Sequence, residues 1–301
     1  SVGGAPYVTY ALPKKADLTF EFAGKAVEIT PAEAEQDLLE GANALVAVRN
    51  GESAETVLTW LSYHIEQHGL NGAVIFDRAE PGSDRAFSKA LKAGLKQLDC
   101  TVILLSSDVP FGKPDFPAEA HPFCVPEAPG KDRMVVPPPS PWDAPLGALC
   151  LYEMTRLRFL AGVRAVANID VHDLLVPSET SIFDTAVSAE GGLIALMGQH
   201  CYPWRVRNNQ PTLFADHICV QFDAGGGRQR WCIAPAKAPA DAVWRLVRMG
   251  NAVPDATRTM GFFRYMALRH PSEAISKIVP KTSLIEQDAL LEQSIAYWGH
   301  K

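Results

Sequence analysis

The sequence has little of what marks a nucleic-acid-binding, membrane-spanning or disulfide-stabilised protein. It contains no long basic block, and its 34 Asp and Glu residues outnumber its 28 Lys and Arg residues, which argues against nonspecific nucleic-acid binding. Its longest apolar runs, such as TVILL and GGLIALMG, are much shorter than a membrane span. Its six cysteines include no C-x-x-C pair, which favours reduced, mostly buried thiols. These absences predict a cytoplasmic protein, with peripheral attachment to the inner membrane as the alternative.

Three common motifs of nucleotide-binding and hydrolytic enzymes are also absent. No G-x-G-x-x-G follows the first predicted buried strand, so a nicotinamide-binding Rossmann site is unsupported. The absence of G-x-x-x-x-G-K-[ST] excludes a P-loop kinase or ATPase, and the absence of G-x-S-x-G disfavours an α/β-hydrolase. The composition, with 47% hydrophobic and 21% charged residues, is still that of an ordinary globular protein.

From residue 44 onward, short apolar runs alternate with amphipathic segments. The apolar runs predict strands buried on both faces, and they are ALVAVRN (44–50), NGAVIFD (71–77) and CTVILLSSD (100–108). The segments between them predict helices over 54–69 and 83–98. This β-α-β-α-β order implies parallel strands joined by right-handed crossovers. We therefore predict an α/β fold with a mixed, mostly parallel central sheet flanked by helices.

Residues 1–40 are predicted to form an accessory segment that precedes the main domain, 41–301. LTFEF and AVEIT alternate in polarity around Ala23-Gly24-Lys25, which predicts a hairpin, and Thr30 followed by a proline predicts the start of a helix.

Two later regions carry further local signals. Residues 109–146 are dense in proline, which predicts a long surface excursion of the kind that often has a functional role. VRAVANIDVHDLLVP (163–177) predicts one strand with polar residues near its end. HICVQF and RQRWCIAP flank a glycine-rich stretch, which predicts a hairpin or a flexible turn.

Candidate binding residues follow the predicted strands, because ligands of open parallel sheets bind beyond the carboxyl ends of the strands. These residues are Arg49, Asn50, Asp77, Asp108 and Asp170. An acid at one such position is equally well explained as a loop or helix cap.

The segment 170–173 is more informative, because Asp170, His172 and Asp173 place two carboxylates and an imidazole within four residues. That set suits Mg²⁺ or Mn²⁺, and a capped strand end with a surface salt bridge is the alternative.

Two further clusters leave alternatives open. The arginines of PWRVRNN and GGGRQRW suit a diphosphate clamp or a solvated sheet edge; they are Arg205, Arg207, Arg228 and Arg230. His270, between an apolar run and a proline, suits a structural hydrogen bond better than a metal site when it is considered alone.

Three segments together resemble family-2-like glycosyltransferases of the GT-A fold. The first segment contains a strand ending in Arg-Asn, then a helix with W-x-x-Y-H, then a second strand ending in Asp. It matches the family at Arg49, Asn50, Trp60, Tyr63, His64, Asp77 and Asp84. VANIDVHDLLVP resembles the segment that holds the metal-binding D-x-D of that family, and LRHPSEAISKI resembles a late segment that contains His270. The resemblance covers roughly residues 44–280.

The resemblance implies a GT-A-like, Rossmann-like domain that transfers a sugar from a UDP- or GDP-sugar to a glycan or glycoconjugate. It implies Asp77 near the base or ribose, and Mn²⁺ or Mg²⁺ on the diphosphate, held by Asp170, His172, Asp173 and His270. An inverting transferase also needs a carboxylate base. Asp216 is our candidate for that base, with Asp223 and Glu190 as alternatives.

The sequence also departs from the pattern of that family. Gly51 displaces the expected glutamate by one residue to Glu52, and His172 stands where the second acid of D-x-D is expected. These changes leave open a divergent enzyme, a metal-independent enzyme, or a catalytically silent domain that binds a nucleotide, a glycan or a protein.

Overall fold

The structure is a computed structural model that describes residues 17–119, 121–124, 130–147, 149–204, 211–221, 229–268, 284–286 and 288–293. Its main element is a ten-stranded mixed sheet with helices packed on both faces. The predicted α/β class is therefore confirmed.

One part of the sheet is a parallel block whose strands lie in the order β6-β3-β4-β5. Its strands are β3 (Asn43–Arg49), β4 (Gly72–Asp77), β5 (Thr101–Ser106) and β6 (Ala165–Asn168). Helices α1 (Ala54–His68) and α2 (Arg85–Gly94) connect the first three strands, as the hydrophobic periodicity predicts. Helix α1 begins at a Ser53 cap and ends at Gly69, which adopts the left-handed conformation with φ 67°.

The other part is an antiparallel block, and it makes the prediction of a mostly parallel sheet wrong. It contains β8 (Leu193–Pro203), β9 (His217–Gln221), β10 (Gln229–Ile233) and β12 (Leu284–Glu286). Strand β10 runs antiparallel to both β6 and β8, and β9 runs antiparallel to both β8 and β12. Parallel neighbours need a long crossover, usually a helix, and the described residues between β8 and β10 contain no α-helix.

Two predictions for single segments are also wrong. The predicted strand 163–177 is divided by a turn into β6 and β7 (Asp173–Leu175), and β7 pairs with β11 (Thr259–Tyr265) instead of following β6 along the sheet. The hairpin predicted for HICVQF and RQRWCIAP does not form, because β8 lies between β9 and β10. The alternative of a flexible turn falls on 222–228, which lie outside the described residues. In both cases the strands form their backbone hydrogen bonds with strands that are not their neighbours in sequence.

The N-terminal hairpin is confirmed and forms a separate two-stranded sheet of β1 (Leu18–Phe22) and β2 (Lys25–Ile29). Its two-residue turn has φ values of 50° at Ala23 and 74° at Gly24, as a primed turn requires. The helix predicted from Thr30 does not form, and a single 3-10 turn, Gln36–Leu39, follows instead. The Thr30 hydroxyl donates to Asp17 across the hairpin and caps no helix.

The core lies on both faces of the sheet. Alternate β3 residues divide between the faces: Leu45 and Ala47 pack with α1, α2 and α4 (Ile182–Ser188), whereas Ala44 and Val46 pack with the segment that follows α3 (Leu149–Thr155). That segment continues α3 as a π-helical turn, Arg156–Leu160. A last helix, α5 (Asp288–Gln293), packs beside β9.

Two simpler expectations concern the membrane and the cysteines. Among the described residues, none of the helices has both the length and the apolar character needed to cross a bilayer. All six cysteines are free, and Cys201, Cys219 and Cys232 are buried, whereas the other three are half-buried.

Candidate functional site

The candidate site lies where the order of the parallel strands reverses. The chain passes from β3 to β4 to β5 in one direction across the sheet, and then β6 pairs with the opposite edge of β3. In open α/β sheets a ligand crevice forms at such a switch point, outside the carboxyl ends of the two strands. Here those ends are Arg49 and Asn50 after β3, and the turn 169–172 after β6.

Strands β10 and β11 bring two arginines to the same edge of the sheet. Because β10 runs opposite to β6, Arg230 near the start of β10 lies beside the end of β6. Strand β11 runs parallel to β8, and Arg264, near its end, pairs in register with Asp173 at the start of β7. Charged residues that are far apart in sequence therefore meet at one edge.

The first charge cluster at this edge, the Arg49 cluster, consists of Arg49, Asp77 and Asp84. Arg49 is buried, and its Nη1 donates to Asp77 Oδ1 at 2.9 Å while its Nη2 donates to Asp84 Oδ2 at 2.7 Å. The guanidinium also lies over the Phe87 ring, 3.4 Å from its centroid. The hydrogen bond from Arg49 lowers the pKa of Asp84, which caps α2. Arg49 thus positions two carboxylates and is itself covered.

Asp77 keeps part of its carboxylate available. The two described hydrogen bonds to its side chain, from Arg49 Nη1 and from the backbone N–H of Ala79, both end on Oδ1. The Asp77 side chain is 10% exposed, so Oδ2 remains a candidate acceptor at the end of β4.

The second charge cluster, the Arg230–Arg264 cluster, consists of Asp170, Asp173, Arg230 and Arg264. Arg264 donates from Nε to Asp173 Oδ1 at 2.8 Å and from Nη2 to Asp173 Oδ2 at 2.6 Å. Asp170 Oδ2 accepts from Arg264 Nη2 at 2.6 Å and from Arg230 Nη2 at 2.7 Å. Both arginines are 1% exposed and Asp173 is fully buried, so these ion pairs are almost dry.

The pKa values of Asp170 and Arg264 reflect this pairing of charges, whereas burial raises the pKa of Asp173. Burial raises the pKa of Asp170, but the positive charges of Arg230 and Arg264 outweigh it and hold that pKa well below its ordinary value. Burial likewise lowers the pKa of Arg264, and the Asp173 and Asp170 carboxylates reverse that effect and raise it. Asp170 and Arg264 are therefore charged at neutral pH. The alternative of a salt bridge at the end of a strand holds, except that the bridge is buried.

His172 links this turn to the loop after β3. Its Nδ1 lies 3.3 Å from Glu52 Oε1, and burial lowers the pKa of His172 to about 4 despite that hydrogen bond, so the imidazole is neutral. Gly51, with φ 94°, turns the chain so that Glu52 Oε2 also accepts from the backbone N–H of Asn50 at 2.5 Å. Glu52, the displaced glutamate, thus connects the loop after β3 with His172 in the turn after β6.

Three side chains of α1 fix the backbone on which Asp173 lies. Trp60 Nε1 donates to the carbonyl of Asp173 at 3.0 Å, and the Tyr63 hydroxyl donates to the carbonyl of Leu175 at 2.7 Å. His64 Nε2 accepts from the backbone N–H of Leu175 at 3.3 Å, and its Nδ1 lies 2.7 Å from the carbonyl of Trp60. The W-x-x-Y-H segment therefore positions the backbone of β7.

The proline-rich excursion is fastened beside the site by Arg78. Its Nη1 donates to Asn50 Oδ1 at 2.6 Å and to Glu119 Oε2 at 2.7 Å, and its Nη2 donates to the carbonyl of Ala144. Asn50, a predicted donor-binding residue, is thereby engaged through its side-chain oxygen. The excursion forms one wall next to the ends of β3 and β4.

The remaining predicted residues belong to neither cluster or lie outside the described residues. Asp108 is exposed in the loop after β5. Asp216 is buried, and its Oδ2 accepts from the backbone N–H of Leu213 at 2.9 Å in the turn before β9. Glu190 precedes β8 at the opposite edge of the sheet, which removes it as a base for this site. His270, Arg205, Arg207, Asp223 and Arg228 are outside the described residues.

The fit of a divalent cation to the predicted metal residues is mixed. Asp170, His172 and Asp173 each bring one potential ligand atom to within 4.8 Å of the others. His172 Nε2 is buried, lies 3.9 Å from Asp170 Oδ2 and has no described hydrogen-bond partner. It is an acceptor when Nδ1 carries the proton, as suits a metal ligand. Against this, both oxygens of Asp173 are bonded to Arg264, and Asp170 Oδ2 is shared by two guanidinium groups. A cation would have to displace an arginine to reach either oxygen of Asp173 or Asp170 Oδ2, which leaves Asp170 Oδ1 as the carboxylate oxygen without a described bond to a guanidinium.

Sequence reasoning missed Arg264 and Arg78, and treated Glu52 only as a displaced residue. One signal for Arg264 exists, because a charged residue in the apolar strand GFFRYM is rarely buried without a partner. Its partners are 91 and 94 residues away, and no local pattern specifies them.

Comparison of the chain with protein-family models gives no match, and comparison with curated proteins gives no match either.

Proposed function

We propose that this chain is a glycosyltransferase-like enzyme that transfers a sugar from a UDP- or GDP-sugar to a glycan or glycoconjugate. One observation carries the proposal: the Arg49 cluster lies at the end of β3 and the Arg230–Arg264 cluster lies at the end of β6, the two strands that flank the switch point. A crevice at this position of an α/β sheet is where nucleotide groups bind. The resemblance of the strand ends to family-2-like glycosyltransferases supports the same ligand.

The chemistry of the site suits such a donor. Cleavage of the anomeric bond passes through an oxocarbenium-like state and leaves a nucleoside diphosphate, so fixed positive charge near the leaving group favours the reaction. In this proposal Asp77 Oδ2 accepts a hydrogen bond from the ribose or the base, and Arg49 holds that carboxylate in position. The excursion fastened by Arg78 closes the side of the crevice.

The acceptor base in this proposal is Asp216. Strand β9 begins beside the end of β8, which places Asp216 at the same edge of the sheet as the two clusters. Its carboxylate is partly engaged by Leu213, so this role requires the second oxygen to face the acceptor hydroxyl.

A binding domain without transferase activity is the second candidate. The observation that favours it is the ion pairing of both acids of the 170–173 segment with buried arginines. Such a domain would bind the nucleotide or the nucleotide-sugar but would neither hydrolyse nor transfer the sugar.

Calorimetric titration of the full chain with UDP and GDP tests the proposal. We expect one nucleotide to bind, and the Asp77→Asn variant to bind it about tenfold or more weakly, because a charge-assisted hydrogen bond is lost. Asp99→Asn is the matched control, since Asp99 is an exposed acid just before β5, at the opposite edge of the sheet. Circular dichroism of each variant confirms that it is folded.

The outcomes separate the candidates. Failure of both nucleotides to bind the folded wild type contradicts the enzyme and the nucleotide-binding domain together. Binding accompanied by release of sugar from UDP- or GDP-sugars supports the enzyme, whereas binding with no hydrolysis or transfer across a donor panel supports the silent domain.

A further inference from the structure

The charge balance of the Arg230–Arg264 cluster bears on which cation the site uses. Two guanidinium groups face two carboxylates, so the cluster carries the same formal charge as a divalent cation held by two carboxylates. Glu52, which contacts His172, adds at most one negative charge. A divalent cation placed among these groups would lie within a few ångströms of two buried positive charges, where repulsion is poorly screened.

Three of the four carboxylate oxygens that a cation would need are also in use, and Asp170 Oδ1 is the exception among the described hydrogen bonds. Asp173 binds Arg264 through both oxygens, in a bidentate arrangement that fits a guanidinium well. Asp170 Oδ2 accepts from both arginines at 2.6 and 2.7 Å. The arginines therefore occupy the inner positions that Mg²⁺ or Mn²⁺ takes from carboxylates.

The arginines also retain donors that are unused among the described residues. Arg230 Nε and Arg264 Nη1 are buried and have no described hydrogen-bond partner, although buried N–H groups are nearly always paired. The group that would satisfy them is an acceptor rich in oxygen, such as a phosphate, and not a cation. Asp170, whose side chain is 12% exposed, marks the side on which the cluster reaches solvent.

From these observations we infer that Arg230 and Arg264 replace the divalent cation at this site, so that the diphosphate group of a nucleoside diphosphate binds without Mg²⁺ or Mn²⁺. This inference rests on the proposed function for the identity of the ligand. Its other half, that the cluster holds no divalent cation, does not depend on any nucleotide.

The cation is tested first, by titrating the EDTA-treated full chain with Mn²⁺ alone and following the electron paramagnetic resonance signal of free Mn²⁺. We expect no stoichiometric binding at micromolar to millimolar Mn²⁺. Binding of one Mn²⁺ per chain that is lost in folded Asp170→Asn or His172→Gln would overturn the inference, whatever the nucleotides do.

The diphosphate is tested next, by comparing UDP with uridine, and GDP with guanosine, in EDTA and in Mn²⁺. We expect nucleotide affinities in the two buffers to agree within about twofold. We expect Arg230→Met to weaken the binding of UDP or GDP about tenfold or more, and the binding of the nucleosides by less than about twofold. The reason is that only the phosphate oxygens contact the guanidinium in this proposal. Arg230→Lys should recover part of the loss, since it restores the charge but not the planar fork.

Arg258→Met is the matched control, because Arg258 precedes the opposite end of β11 and is partly exposed. Equal weakening of nucleoside and diphosphate by Arg230→Met would show a purely structural role and overturn the inference. Nucleotide binding that requires Mn²⁺ would overturn it as well. If no nucleotide binds in either buffer, the proposed function and the diphosphate half both fail, while the Mn²⁺ titration still decides the cation half.

Discussion

The two charge clusters at the edge of the sheet differ in how they are assembled and in how dry they are. The Arg49 cluster joins the ends of β3 and β4 and the cap of α2, over a span of 35 residues, and the Asp84 side chain is 36% exposed. The Arg230–Arg264 cluster joins residues up to 94 apart, and Asp173 has no exposed surface.

This contrast determines what each cluster contributes. An exposed ion pair adds little to stability, because water and salt screen it. A buried pair adds little over an apolar pair either, but removal of one partner leaves an uncompensated charge in a medium of low polarity. The Arg49–Asp84 pair is therefore tolerant of change, although the Arg49–Asp77 pair beside it is buried. The Arg230–Arg264 cluster has no such exposed pair, and it connects the β6–β7 turn to β10 and β11.

The largest expected effect comes from removing the central arginine of each cluster. Arg264→Met should lower the free energy of unfolding by about 3–5 kcal/mol, because it strands two buried carboxylates. Arg49→Met should cost about 1–3 kcal/mol, since Asp84 can turn to solvent. Urea unfolding of both variants at pH 7 measures the difference.

A second substitution checks the cause of this effect. Asp173→Asn added to Arg264→Met should recover part of the loss, because it removes one stranded charge. Equal costs for the two arginine variants would contradict the contrast between the clusters.

Lowering the pH is expected to have an intermediate effect on the free energy of unfolding. Burial lowers the pKa of His217, in the antiparallel block, to about 4 from the 6.5 of an unfolded chain. As the pH falls from 6.5 towards 4, the unfolded chain takes up a proton that the folded chain does not, so stability falls by about 1.4 kcal/mol per pH unit for this group. Burial lowers the pKa of His64 and His68 as well, which adds to the slope.

The measurement is the free energy of unfolding at pH 8 and pH 5. His217→Gln should reduce the loss between these two values by about 2 kcal/mol. Asp84→Asn is the control from the Arg49 cluster: the pKa of Asp84 is lowered below 3.8, so its stabilising contribution is lost only at lower pH and the variant should keep the wild-type slope. An unchanged slope in His217→Gln would disprove that His217 stays neutral in the folded chain.

The smallest expected effect concerns the excursion beside the Arg49 cluster. Arg78→Met removes the hydrogen bonds to Asn50 and Glu119, which should lower the free energy of local unfolding of the excursion by about 1.4 kcal/mol. Proteolytic cleavage within 109–146 should therefore become about tenfold faster. Arg133→Met is the matched control, since Arg133 lies in the same excursion and its side chain is 89% exposed. Cleavage at the same rate in both variants would mean that Arg78 does not hold the excursion in place.

The parallel block was predictable because its signals are local. The alternation of apolar runs with amphipathic segments specifies β3, α1, β4, α2 and β5, and Ser53 and Gly69 mark the ends of α1. Right-handed crossovers then fix the order of those strands, so the positions of Arg49 and Asp77 at one edge follow.

The antiparallel block was less predictable, because its pairings are not between neighbours in sequence. The glycine-rich segment between β9 and β10 suggested a hairpin, but β8 pairs with both strands and separates them. Periodicity identifies a strand but does not determine which strand pairs with it, since several strands of similar polarity can form hydrogen bonds with the same strand edge.

The local sequence is enough to predict that Asp170, His172 and Asp173 form a compact group at a strand end, and that the charge of this group needs compensation. It is the folding of distant strands onto this strand end that supplies Arg230 and Arg264 as the compensating charges. The physical reason is that a buried carboxylate requires a positive partner but does not specify which one. From the sequence, a metal ion and a distant guanidinium meet that requirement equally well. The pairing of β7 with β11 and of β10 with β6 brings two arginines to the same edge of the sheet, and these arginines supply the positive charge.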